Sequence, residues 1–193
     1  MKMFSYNVKT LGLSERSVVV SAAIVEFDVE TPKLFSELVK DTLLVKFDTS
    51  EQVGDRVIDP ATVEFWKKLP KEVQEVSLGE SKKYPQPTTC KAALGEIQNY
   101  IYSRLLPNED FFVWTRGHLS RVVSASLSKD VGSNFIPFWR YMDTRTGVNL
   151  LYSVPKGVTD IDPQYMDVDD IMKQNPVHDV VLDALMITAG VKH

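Results

Sequence analysis

The 193-residue sequence predicts an α/β protein with a mixed central sheet flanked by helices. Three observations predict it. Three apolar, strand-like runs come first, at 3–8, 18–27 and 43–47, with connections short enough for antiparallel pairing as a meander. Beyond residue 59, helical and strand-like segments alternate, the order that lays parallel strands beside helices. Hydrophobic residues make up 44% and charged residues 25%, enough to bury a core within one domain.

The elements follow in chain order. The run Val18 to Phe27 is long and β-branched, and Thr10 to Glu15 before it carries the Gly and Ser of a loop. Asp59-Pro60 opens a helix, with Asp as N-cap and Pro at the first helical position, and Pro70 ends it. Lys71 to Val76 predicts a further short helix, and the polar stretch from Gly79 to Thr89 a loop. Thr88 or Thr89 caps the next helix, where Leu94, Ile97, Ile101 and Leu105 recur at helical spacing. Phe111 to Trp114 reads as a strand, His118 to Leu127 as a helix, Phe138 to Met142 as a strand and Thr144 to Tyr152 as a helix. Residues 155–174 form an acidic, irregular insert carrying Asp160, Asp162, Asp167, Asp169 and Asp170. Asn175-Pro176 then opens a last helix through Ile187, closed by Gly190. No repeat or internal boundary divides residues 1–193, so one domain is expected.

The net charge of −4 argues against a generic polyanion binder but leaves room for a local basic site. Cys90, the only cysteine, rules out an intrachain disulfide and fits a reducing, cytoplasmic setting. With no nucleophile signature around it, Cys90 reads as a structural cysteine near a helix start. The N-terminal residues turn polar too soon for a signal peptide, and no apolar run approaches the ~18 residues of a membrane span.

Several segments together resemble phage exonuclease A proteins, DEDDh 3′–5′ exonucleases of the ribonuclease-H-like fold. Asn7-Val8-Lys9-Thr10-Leu11-Gly12 stands where such proteins carry Asp-Phe-Glu-Thr-Met-Gly. Lys46-Phe47-Asp48 comes next, and Glu64-Phe65-Trp66 resembles a family Glu-Trp-Trp. Trp114-Thr115-Arg116-Gly117-His118-Leu119-Ser120-Arg121 resembles Trp-x-Arg-Gly-x-x-Phe-Asp, and Asp143-Thr144-Arg145-Thr146 a family Arg-Asp-Ile-Arg-Thr. His178 and Asp183 supply the closing His-x-x-x-x-Asp.

The resemblance implies hydrolysis of a phosphodiester by two Mg²⁺ or Mn²⁺ ions held by four acids, with a histidine as general base. The departures fall at that chemistry. The relic positions are Asn7, Lys9, Arg121, His178 and Asp183, and of the four acids only Asp183 survives. Asn7 offers one neutral oxygen, while Lys9 and Arg121 offer no acceptor. Where the family site holds roughly four negative charges, these positions sum to about +1. The expectation is that Lys9 and Arg121 occupy the vacated metal positions, paired with Asp183, and that no metal cofactor binds. The bland readings are that His178 is a relic or capping residue, Asp143 a helix cap, Glu64 a partner of the helix dipole, and Trp66, Trp114 and Trp139 core residues. Glu15 and Asp28 lie out of register to replace a ligand.

Three functions compete. The first is an inactive exonuclease-like phage protein that binds and inhibits a host or phage factor. The second is a single-stranded nucleic-acid-binding module that holds phosphate through Lys9, Arg121 and Arg116. A still-active metal-dependent exonuclease ranks last, because cations stand at two ligand positions. The resemblance also raises the expectation of a homodimer, and none of these readings involves a membrane.

Overall fold

Alternation along the first strand sets the plan. Phe4, Tyr6 and Val8 face one side of the sheet and join a core with Leu94, Ile97 and Val123. Met3 and its same-face neighbours up to Lys9 face the other side, toward Val180, Ala184 and Ile187. In the computed structural model, which describes residues 1–79, 81–166 and 171–191, this strand is β1 (Lys2–Thr10). It pairs antiparallel with β2 (Val19–Phe27), which pairs antiparallel with β3 (Leu43–Phe47). The predicted meander is therefore present. On the other flank, β1 pairs parallel with β5 (Phe111–Thr115), and β5 with β6 (Tyr141–Asp143). With the two-residue β4 (Pro87–Thr88) on the outer edge of β3, the six-stranded order is β4-β3-β2-β1-β5-β6.

Two elements escape the sequence reading. Helix α1 (Phe35–Asp41) lies between β2 and β3 and buries Phe35 and Leu38. Strand β4 (Pro87–Thr88), inside the expected loop, pairs parallel with β3 over only two residues. The two-residue β4 is too short to leave a periodic signal.

The remaining helices stand where their caps place them. Asp59 accepts from the backbone of Ala61 and Thr62 to start α2 (Pro60–Lys67), which is followed by α3 (Lys71–Ser77). Thr89 caps α4 (Cys90–Tyr102). Helix α5 (Leu119–Asp130) follows β5, and Asp143 caps α6 (Thr144–Tyr152). Asn175 caps α7 (Pro176–Thr188). The expected strand at 138–142 is corrected: Phe138–Arg140 is a 3₁₀ turn behind Pro137, and pairing begins only at Tyr141.

The described part of the insert, 155–166 and 171–174, holds neither helix nor strand and is tied back by an Ile161–Gly190 bridge. Asp160 and Asp162 belong to it, whereas Asp167, Asp169 and Asp170 lie outside the described residues. Among the described residues no helix is long and apolar enough to cross a membrane.

Candidate functional site

The carboxyl end of β1 and the inner face of α7 form the candidate site. Asn7 and Lys9, two residues apart, point to the same side of the sheet. On α7, Asp179 and Asp183 are one turn apart and share a face. The two faces meet. Lys9 forms an ion pair with Asp179 and donates to Gln174 Oε1 at 3.3 Å. Arg116, just past the end of β5, donates through Nε to Asp183 Oδ1 at 2.6 Å, and its Nη2 pairs with the same oxygen. Among the described residues Asp183 Oδ2 is left buried without a partner, as is Asn7 Oδ1.

This geometry corrects the expected pairing. Asp183 is held by Arg116, not by Lys9 and Arg121. Lys9 lies close enough to act on Asp183 electrostatically, but its ammonium is taken by Asp179. Arg121 sits on the exposed side of α5 and lines a separate hollow with Thr115, Tyr141 and Asp143. The reason is reach: Arg116 leaves the strand end directly over α7, whereas the helical turn after Gly117 carries Arg121 away from it.

Asp183 is 1% exposed. Burial raises its carboxyl to about 6, and the Arg116 guanidinium only partly offsets this. The partly buried His178 accepts the Met172 backbone N–H at Nδ1, 3.0 Å away, and its ring meets Phe35 edge-on at 5.1 Å. It thus closes the loop before α7.

Sequence reasoning missed Asp179 and Gln174. Asp179 could have been found, because it stands four residues before Asp183 and such spacing places both on one helix face.

A cleft of 460 Å³ opens beside Asn7 and Lys9, walled by Leu13, Ala61, Phe65 and Trp66. Trp66 is anchored by its Nε1–H, which donates to Thr10 O at 3.0 Å and fixes α2 against the end of β1. Trp139, expected in the core, is 62% exposed instead. Pro137 ends the preceding loop and turns the 3₁₀ segment outward.

Divalent ions of this chemistry need oxygen donors. The site supplies one amide oxygen and two carboxylates, each carboxylate already held by a cation, and this set does not fit a pair of such ions. Among the described residues no three His, Cys, Asp or Glu side chains come together as metal ligands would.

Cys90 begins α4 with its thiol buried, pushed up to about 12 by burial and by the Glu51 carboxylate. It is therefore expected to resist iodoacetamide in the native protein at pH 8 and to react after unfolding. Mass spectrometry of native alkylated protein checks this, and rapid native labelling would contradict it.

No family model matches the chain. It is 23% identical to an exodeoxyribonuclease of Enterobacteria phage T4 over 207 residues, covering 98% of this chain and 89% of that protein. Among solved structures it resembles the nuclease domain of 3′hExo, a DEDDh family member bound to rAMP. That match has a TM-score of 0.62 at 11% identity and covers 97% of this chain and 90% of that one. It also resembles E. coli ExoI in complex with single-stranded DNA, with a TM-score of 0.54 at 10% identity, covering 97% of this chain but 38% of that one. The strand order, the placement of α7 against β1 and this whole-length likeness agree, and the chain has a ribonuclease-H-like α/β fold similar to that of the DEDDh nuclease domain.

Proposed function

We propose that this chain is an exonuclease-fold phage protein that does not cut and acts by binding a protein partner, a host or phage factor. One observation carries the reading: both carboxylates of α7 that face β1 are neutralised from within, Asp179 by Lys9 and Asp183 by Arg116. A divalent ion entering between them would meet an ammonium and a guanidinium among largely buried side chains, where repulsion is strong. Displacing Lys9 would free only Asp179, and displacing Arg116 only Asp183.

A second feature supports a protein partner. At the opposite end of the sheet from the cleft, Tyr102, Leu106, Phe138 and Trp139 are each more than half exposed. Tyr102, Leu106 and Trp139 line one groove, and Phe138 packs edge-on against Trp139. Clustered exposed aromatics are characteristic of binding surfaces.

The test has two arms. Incubation of single-stranded DNA labelled at its 5′ end with Mn²⁺ and the protein is expected to leave the strand intact. Shortening that Asp183→Ala abolishes would overturn the reading. In the second arm, affinity capture from phage-infected cells compares the wild-type chain with Trp139→Glu. A stoichiometric protein retained by the wild type and lost with the variant is expected, and a single capture profile for both would count against the apolar face.

A non-catalytic nucleic-acid-binding module is the second reading. Lys9 and Arg116 are engaged in ion pairs, so of the three cations considered for phosphate it now rests on Arg121, which makes no ion pair among the described residues.

A further inference from the structure

We propose that the hollow between the start of α5 and the end of β6 is a phosphate-binding site, in which Arg121 and the first turn of α5 hold the phosphate of a nucleotide or a nucleic-acid strand. The hollow has a volume of 260 Å³ and is lined by Thr115, Gly117, His118, Arg121, Tyr141 and Asp143, with Met142 beside them. It lies at the carboxyl ends of β5 and β6, which run parallel to β1 through β5. Open α/β sheets bind their ligands at this edge.

Three features point to an anion. Helix α5 has twelve residues and begins behind His118 without a side-chain cap, so its first-turn N–H groups have no acceptor from the cap residue. Arg121 is exposed and carries no ion pair among the described residues, so its fork of donors is available. Among the described residues the Tyr141 hydroxyl is buried without a partner. Burial pushes this phenol well above its usual range, with the Arg121 charge acting in the opposite direction, so it stays protonated as a donor. A buried donor without an acceptor is the state that a ligand oxygen relieves.

Asp143 also lines the hollow, but its oxygens are already committed. Oδ2 accepts the Gly117 N–H at 2.9 Å, and Oδ1 accepts both the backbone N–H and the hydroxyl of Thr146 at 2.8 Å. The first of these bonds holds Gly117 at φ +75°, the turn that brings His118 and Arg121 round the mouth of the hollow. An incoming anion therefore meets Arg121 and the α5 amides at the mouth, with the Tyr141 ring in the wall and the Asp143 charge opposing them.

The proposal stands apart from the protein-partner reading, and either can fail while the other holds. It is tested by following ¹⁵N amide shifts of the full chain on addition of inorganic phosphate, of dAMP and of a short oligothymidylate. Saturable shifts concentrated at Gly117 to Arg121 are expected. Arg121→Gln is expected to weaken binding about tenfold or more, Arg121→Lys less, and Tyr141→Phe roughly two- to fivefold. Equal binding of phosphate and dAMP assigns a free phosphate group. Shifts of the same amides by the oligonucleotide alone, weakening steeply with salt, assign a strand backbone. Absence of saturable shifts with all three probes would overturn the site, as would unchanged affinity in Arg121→Gln. Because Arg121 is exposed, the variant is expected to melt at the wild-type temperature, which separates lost binding from lost fold.

Discussion

Replacing Arg116 with alanine is expected to destabilise the protein by about 2–3 kcal/mol at pH 7.5, a fall of roughly 5–10 °C in Tm. The substitution leaves Asp183 with neither oxygen partnered. Breaking a buried pair by removing one partner typically costs about 3–5 kcal/mol. The expected loss is smaller here because the Asp183 carboxyl already titrates near 6 and escapes the worst of the cost by taking a proton. For the same reason the loss should shrink toward pH 5, where that carboxyl is largely protonated with or without Arg116. Urea denaturation at the two pH values measures both quantities. A loss under about 0.5 kcal/mol at pH 7.5 would show that the pair contributes nothing to the fold, as is usual for exposed pairs.

The second large effect is the pH dependence that Asp183 itself imposes. Its folded-state carboxyl lies at about 6, above the ordinary value of 3.8. Between these values the folded protein binds more proton than the unfolded chain. Its contribution to stability is therefore fully present below about pH 4 and is lost as pH rises through 6, a change on the order of 2–3 kcal/mol. Asp183→Asn removes this term while leaving Arg116, which is about one-third exposed, able to reach water. The variant is thus expected to gain on the wild type by that amount between pH 4 and pH 7. Subtracting the two curves cancels the other carboxylates, several of which titrate in the opposite direction, Asp130 and Asp59 among them. A flat difference curve would mean that Asp183 is not the strained acid of the cleft. Together the two variants separate the partners: removing the cation destabilises, whereas removing the buried charge does not.

These two effects rest on contacts with very different visibility in the sequence. The carboxylate at 183 was legible from its spacing to His178, and Asn7, Lys9 and Arg121 were singled out by the resemblance alone. The partners were not. Arg116 and Arg121 are both arginines near one strand end, and only the turn at Gly117 decides that the first reaches α7 while the second faces outward. Trp139 illustrates the same limit. Its composition suggests burial, but Pro137 and the 3₁₀ turn rotate it into solvent.

The amino-acid order by itself determined the α/β plan, the meander, and the helix starts at Asp59, at Thr88 or Thr89, at Asp143 and at Asn175. These are local properties: caps, periodicity and residue identity act over a few neighbouring positions. Tertiary structure alone decided how the charges of the cleft are shared, that Lys9 meets Asp179, that Arg116 holds Asp183 by one oxygen, and that Arg121 lines a separate hollow. Ion pairing depends on distances of a few ångströms between segments more than sixty residues apart, and chain order does not encode such distances until the sheet and α7 have packed.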